Sequence, residues 1–423
     1  MKHVFIFAFG LVFSSVVCLG ESSISDVKVR QLWPWSGDID IAFTLTGADS
    51  VAVKFTVEYD GAEPFVIPEG QLSGDFFYVA PGRRHARWSL KRAGLDSQKL
   101  KNLKITASVD DTDRTYLILN LTDGSYRYAA TEPEGGWMSF DKGYGQTNMV
   151  FRRVPAGTFT MGYSQDILDK FFVSYTGAMG ARPMTLSSDF YMAVYKASYA
   201  QHLYVTNKIY GTGKDILSSS YSSTSRVISY NQMRGSVDED GINWPHTGYD
   251  VAPGSVIAAY RKITENTLPP DWTIDLPTSA QWARAARAKT PDGKVWDIRG
   301  KYFGDVDTSM TDMTNYANQV GYWKGGWGEE KRSLGKLAPN GWGFYDFNGS
   351  AFEWALDWYG WYGTTIDPVG PNSSSSGRMR CGSYGAGTHI EWMFPGFLYY
   401  YSPSTVTPGY RLCIHLKSLF KDK

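Results

Sequence analysis

Apolar and polar residues alternate in short runs from Ser25 to about Tyr128: Val27-Lys28-Val29-Arg30, Asp38 to Thr44, Val51 to Val57, Leu103 to Ala107 and Tyr116 to Leu119. Side chains of a strand point to opposite faces in turn, so such runs, punctuated by Gly, Asp and Pro, predict half-buried strands. About seven of them in roughly 100 residues predict an immunoglobulin-like β-sandwich over residues 21–128. The segment 129–147, with Glu132-Pro133-Glu134-Gly135-Gly136, reads as a linker.

From residue 148 to 416 the texture changes to long stretches rich in Gly, Asn, Trp and Tyr, followed by a short tail, 417–423. Two helices stand out there. Pro277-Thr278 precedes Ser279 to Arg287, with Thr278 placed as a cap, and Gly254-Ser255 precedes a run through Tyr260-Arg261-Lys262. The remainder predicts irregular backbone, whose N–H and C=O groups need partners from side chains, water or ions.

At the other end, Met1-Lys2-His3, the apolar run Val4 to Val17 and Cys18-Leu19-Gly20 have the form of a secretory signal peptide, residues 1–20, cut after Gly20. The run is shorter than the ~20 residues that span a bilayer, and no later run is longer, so the mature chain is expected not to span a membrane. An exported chain meets an oxidising compartment, where the two remaining cysteines, Cys381 and Cys413, either pair or lie buried as thiols. Export alone does not choose between an extracellular, a periplasmic and a cell-surface location. Lys plus Arg equals Asp plus Glu, 42 each, which removes the electrostatic reason to expect nucleic acid as a partner. Aromatic residues form 15% of the 423, including 15 Trp and 28 Tyr, enough to fill a core and also furnish a cleft.

Five segments match, in order, the motifs of the formylglycine-generating enzyme (sulfatase-modifying factor) family. They are Val154 to Gly162; Asp189-Phe190-Tyr191-Met192; Leu276-Pro277-Thr278-Ser279-Ala280-Gln281-Trp282; Pro339 to Trp354, continuing to Asp357-Trp358; and Asp367 to Pro371 through Arg380-Cys381-Gly382-Ser383-Tyr384 to Pro408-Gly409-Tyr410-Arg411. The second segment departs from the pattern: Lys196-Ala197-Ser198 stands where the family usually has Glu-Val-Thr. In the third, both glutamates of the family's Leu-Pro-Thr-Glu-Ala-Glu-Trp are replaced. The resemblance implies an α+β fold, irregular and C-type-lectin-like, behind the β-sandwich.

The family's enzymes oxidise a substrate cysteine to formylglycine with copper held by two cysteines. Those positions, counted from Ser383, are Ala386 and Glu391 here. Soft thiolates suit Cu(I), whereas a methyl group and a carboxylate do not, so the resemblance implies a scaffold without its copper pair. Related sulfoxide synthases bind iron through histidines of an added helical domain. The β-patterned N-terminal part has His85 alone, so neither copper nor iron is expected. The resemblance further implies a structural Ca2+ site at Asp346, Gly349, Ala351 and Glu353, the middle two through backbone carbonyls, as a hard ion favours oxygen ligands. A second family site, at Asn318 and Gln319, lacks a matching aspartate. Where relatives bind substrate, His389, Glu391, Trp392, Tyr399 and Tyr400 offer aromatic faces with polar tips that suit a peptide or glycan. Three functions follow: a non-catalytic binding protein, a metal-dependent oxidoreductase with a divergent site near His389 and Glu391, or a structural envelope component.

Overall fold

The computed structural model describes residues 21–138, 144–171, 180–211, 226–236, 242–292, 294–299, 301–303, 309–322, 333–349, 351–382, 390–394 and 397–420; of Met310, Arg380, Glu391 and Phe420 it describes the backbone. The expected signal segment, 1–20, lies outside this set. The described chain divides into two units: one reaches to Pro68 and resumes over Leu72–Asp111, and the other holds Glu69–Gln71 and everything from Thr112 onward.

In the first unit the alternating runs become β1 (Ser23–Gln31), β2 (Ile39–Thr46), β3 (Ala52–Tyr59), β4 (Ala62–Val66), β5 (Leu72–Gly74), β6 (Gly82–Trp88) and β7 (Lys104–Asp110). They form two antiparallel sheets, ordered β1-β2-β6-β5 and β4-β3-β7. The period of two puts Ile39, Ile41, Phe43 and Leu45 of β2 and Val53, Phe55 and Val57 of β3 in the core. Phe43 and Phe55 meet edge to face at 5.7 Å, and the Trp88 ring lies 6.0 Å from that of Phe65. Each such side chain contributes about 1.5–3 kcal/mol by leaving water.

The second unit contains, in chain order, β8 (Tyr116–Asn120), β9 (Tyr126–Ala129), β10 (Asn148–Val154), β11 (Gly157–Met161), α1 (Gln165–Phe171), β12 (Arg182–Leu186), β13 (Phe190–Ala193), α2 (Tyr199–Tyr210), α3 (Tyr230–Arg234), α4 (Val256–Thr264), β14 (Trp272–Asp275), α5 (Ser279–Arg287), β15 (Trp296–Ile298), β16 (Lys301–Phe303), α6 (Met310–Val320), β17 (Gly321–Tyr322), β18 (Asn348–Gly349), β19 (Glu353–Trp358), β20 (Arg378–Cys381), β21 (Leu398–Tyr401) and β22 (Cys413–Leu416). A six-stranded sheet runs β14-β22-β13-β10-β8-β9, and a three-stranded one runs β19-β20-β21. Helices and mostly antiparallel strands together make an α+β unit.

This arrangement corrects the expected boundaries. Tyr116 to Leu119, expected in the sandwich, pairs with β10 and belongs to the second unit's sheet. The described part of the expected linker, 129–138 and 144–147, is packed: Trp137 and Tyr144 are buried beside Tyr116, Val150 and Tyr195, and Glu132 accepts a hydrogen bond from the Tyr345 hydroxyl at 2.7 Å. The run Tyr116 to Leu119 does not in fact alternate: it is apolar throughout and buried along its length, as in a strand covered on both faces, and neither pattern says which sheet a strand joins. The tail is also tied down at its start, where Lys417 N donates to the Asp271 carbonyl at 2.8 Å.

Both expected helices form. Thr278 caps α5 through its hydroxyl, which accepts from Gln281 N at 3.2 Å, while the Gln281 side chain accepts from Thr278 N at 2.9 Å. Gln281 thereby completes a capping box at the position of the replaced glutamate. Ala280, Trp282, Ala283, Ala285 and Ala286 are then buried as α5 packs against β11, β19 and β20, and of its residues Arg284 alone is not buried. Ser255 caps α4 by accepting from Ala258 N at 3.2 Å.

Candidate functional site

Two places in the second unit gather the residues singled out above. The first is the stretch from Asp346 through β18 to Glu353 at the start of β19. Asp346 has φ +60° and Gly349 φ +78°, and a Cβ on Gly349 would come within 2.4 Å of the Tyr322 carbonyl oxygen, so glycine is required there. The turn aims the Asp346 and Gly349 carbonyls inward, and the Lys196 ammonium meets them. It donates to Asp346 O, to Gly349 O at 3.3 Å and to Glu353 Oε1 at 3.1 Å. An ammonium has three N–H donors, and these three acceptors use them all.

Arg411 completes the cluster. Its Nη1 donates to the Ala193 and Val194 carbonyls at 2.9 and 2.6 Å, and its Nη2 to Tyr345 O at 2.8 Å and Glu353 Oε1 at 3.1 Å. Nε reaches Glu353 Oε2 at 3.0 Å. All five guanidinium N–H groups are therefore in use. Glu353 also accepts from Trp282 Nε1 at 2.9 Å, so its carboxylate takes four hydrogen bonds, two on each oxygen. Burial works to raise the Glu353 pKa, but Arg411 and Lys196 outweigh it and hold it below the usual value. For Lys196, burial is the larger influence and lowers the pKa against the pull of Glu353. Burial likewise raises Asp346, whose Oδ2 accepts from Gly335 N at 2.8 Å.

Asp346, Gly349 and Glu353 thus meet at Lys196, and Ala351 N donates to the Gly349 carbonyl at 2.9 Å. The donor set does not fit calcium, however. That ion takes six to eight oxygens, whereas here the two inward carbonyls already accept from an ammonium and the carboxylate has no lone-pair site left. Of the second expected pair, Gln319 turns back along α6, donating to Asn315 O at 3.2 Å. Among the described residues no three His, Cys, Asp or Glu side chains gather as metal ligands.

The second place is an aromatic row. Trp392, in a short 3-10 turn, is parallel to Phe397 within 15° at 6.1 Å, and Phe397 to Tyr399 within 6° at 6.3 Å. Tyr399 and Tyr400 stack at 4.6 Å, and Tyr359 lies 4.9 Å from Tyr400. Phe397 is buried, while Trp392, Tyr359, Tyr399 and Tyr400 keep part of their surface in water. β21 carries the two tyrosines at the end of its sheet, paired with β20 through Arg380↔Tyr399 and Met379↔Tyr400. Three of the five expected ligand residues are therefore in one row. His389, with Ser383 and Ala386, lies outside the described residues, as does the Glu391 side chain. Tyr359 was not anticipated; its signal is the aromatic run Trp358-Tyr359-Gly360-Trp361-Tyr362, where Trp361 is 70% exposed beneath the Arg182 guanidinium.

The cysteine pairing is corrected. Cys381 and Cys413 are both buried thiols with no disulfide between them, one in the three-stranded and one in the six-stranded sheet. Burial, reinforced by Asp275, pushes the Cys413 thiol well above its ordinary pKa, which leaves it protonated and unreactive.

Two further buried centres surround α5. Asp275 accepts from Arg234 Nε at 3.0 Å and Arg261 Nη2 at 2.8 Å. His415 lies beside them, its ring 4.9 Å from that of Tyr249, and burial lowers its pKa to about 3. Asp357 accepts from Ser279 N and Oγ, both at 2.5 Å, and from Gly370 N at 3.1 Å. Ser279, at the other replaced glutamate, thus ties α5 to β19.

Comparison with known proteins agrees with the motif order. The family described as "Sulfatase-modifying factor enzyme 1-like domain" matches residues 142–404. Formylglycine-generating enzyme of Thermomonospora curvata is 30% identical over 121 residues, 26% of this chain and 38% of that protein. The Bos taurus enzyme is 24% identical over 55% of this chain and 64% of its own length, and the Mus musculus enzyme 24% over 61% and 72%. The chain therefore spans less than two thirds of the first two relatives. The structure of PvdO from Pseudomonas aeruginosa aligns with a TM-score of 0.43 and 17% identity over 63% of this chain and 94% of that one.

Proposed function

The chain belongs to the sulfatase-modifying factor enzyme 1-like family, and from that premise we propose that it is an exported, non-catalytic binding protein whose ligand is a peptide or glycan. Ala386 and Glu391 at the two copper-ligand positions are the observation that carries this reading. Neither residue supplies the soft sulfur donor that Cu(I) oxidation of a thiol requires. Cys381 and Cys413 do not replace the pair, being buried in separate sheets.

The aromatic row supports the binding half of the reading. Tyr359, Tyr399, Tyr400 and Trp392 present part of their surfaces to solvent, and aromatic faces take up sugar rings or apolar peptide side chains without ordering many flexible groups. His389 and Glu391 would add polar contacts beside it. The sandwich, immunoglobulin-like in our reading, serves as a spacer or docking module. Its buried side chains are apolar, and nothing in it gathers chemistry.

Glycan and peptide arrays probed with the mature chain test this. The expected result is a defined set of bound ligands, with affinity falling at least tenfold for Tyr400→Ala and for Trp392→Ala. Binding unchanged in both variants, or no binding on either array, contradicts the proposal.

A further inference from the structure

Lys196 departs from the family's glutamate and has its end buried 150 residues away in sequence, against Asp346 and Gly349. We propose that its ammonium stands permanently in the place of a divalent cation, so that this chain holds the turn between Asp346 and Glu353 without calcium. Three observations support the assignment, and none depends on the binding function above.

The first is geometric. Backbone in the left-handed region at both Asp346 and Gly349 turns carbonyl oxygens toward one point. That is the arrangement a cation organises, and Lys196 Nζ occupies it. The second is saturation. Every ammonium N–H has an acceptor, every guanidinium N–H of Arg411 has one, and the Glu353 carboxylate takes four bonds, so a metal ion at the ammonium's position would have to displace it. The third is charge. Asp346 and Glu353 bring two negative charges, and Lys196 and Arg411 bring two positive ones, so the buried group balances. A glutamate at 196, as the resemblance places there, would make three carboxylates against one guanidinium, leaving two negative charges. Those are the charges one calcium ion neutralises. The change from carboxylate to ammonium alters the fixed charge by the charge of that ion, which makes Lys196 an internal counterpart of it rather than a neutral packing change.

The test compares the full chain with its Lys196→Glu variant, each in calcium chloride and in EGTA, reading the unfolding midpoint and the calcium stoichiometry by native mass spectrometry. The variant is expected to carry one calcium ion more than the unchanged protein. Its midpoint is expected to rise by about 5 °C more on calcium addition, the response to a saturating ligand that binds only the native state. Equal uptake and equal midpoint response in the two proteins, whether calcium binds or not, overturns the proposal. A variant that folds only in calcium supports it. Should Lys196→Glu fold under neither condition, Lys196→Gln takes its place under the same criteria. It also empties the ammonium position, and a calcium response no larger than that of the unchanged chain overturns the assignment.

Discussion

Among the described residues of the seven-stranded unit, the buried side chains are apolar: Ile39, Ile41, Phe43, Phe55, Trp88 and their neighbours. The unit that follows buries Lys196, Arg234, Arg378 and Arg411 together with Asp275, Glu353 and Asp357, each at 1% exposure or less. The difference follows from the backbone. Paired strands satisfy one another's N–H and C=O groups, so a sandwich core needs only apolar side chains. In the second unit carbonyls of loops and of short strands point inward, and long cationic side chains bring donors to them. Arg411 serves three carbonyls, Lys196 two, Arg378 those of Trp244 and Leu356, and Arg261 those of Ile274 and Tyr249. Carboxylates at Glu353 and Asp275 then neutralise charge that could not be buried alone.

The sharpest way to break this comparison is Arg411→Met. It takes the guanidinium donors from three carbonyls, of which that of Val194 still accepts from Tyr345 N, and removes one of the two cations facing Glu353. The expected cost is about 4 kcal/mol or more, seen as a chain that fails to fold or unfolds far earlier in urea. Next comes acidity. The folded-state pKa of His415 is about 3, below its ordinary 6.5. Between those values the unfolded chain binds a proton that the folded chain refuses, so stability is complete above pH 6.5 and is lost as pH falls. Urea melts should show a loss of roughly 3 kcal/mol by about pH 4 from this group, a loss that His415→Gln lacks. In the seven-stranded unit, Ile41→Val removes one buried methylene from a site that is 0% exposed and should cost about 1 kcal/mol, with no added pH dependence. The smallest effect belongs to Lys104→Ala. Its partner Glu58 lies at 3.3 Å, but both side chains are solvated, so the melt should move by less than about 0.5 kcal/mol.

What the amino-acid pattern revealed follows the same division. The runs in β2, β3 and β7 were legible because period two records burial residue by residue. Helix α5 was legible because its cap and apolar face are local. The strand Tyr116–Asn120 was legible as a strand yet misplaced in its unit, because pairing with β10 is a property of the whole fold. Lys196 was visible as a departure from the motif. Its targets were not, since a side chain's partners 150 and more residues away leave no mark on spacing. The aromatic residues on β21 were anticipated through the resemblance, whereas Tyr359 reaches them only through tertiary packing.

The proposal that this scaffold binds rather than oxidises rests on Ala386 and Glu391, and it has a direct assay. The mature chain is incubated with Cu(I), oxygen and a cysteine-containing peptide, and the peptide is followed by mass spectrometry. The account predicts that the peptide's cysteine is converted no faster than with copper alone. Turnover of that cysteine to the formylglycine aldehyde, dependent on the protein, would contradict it.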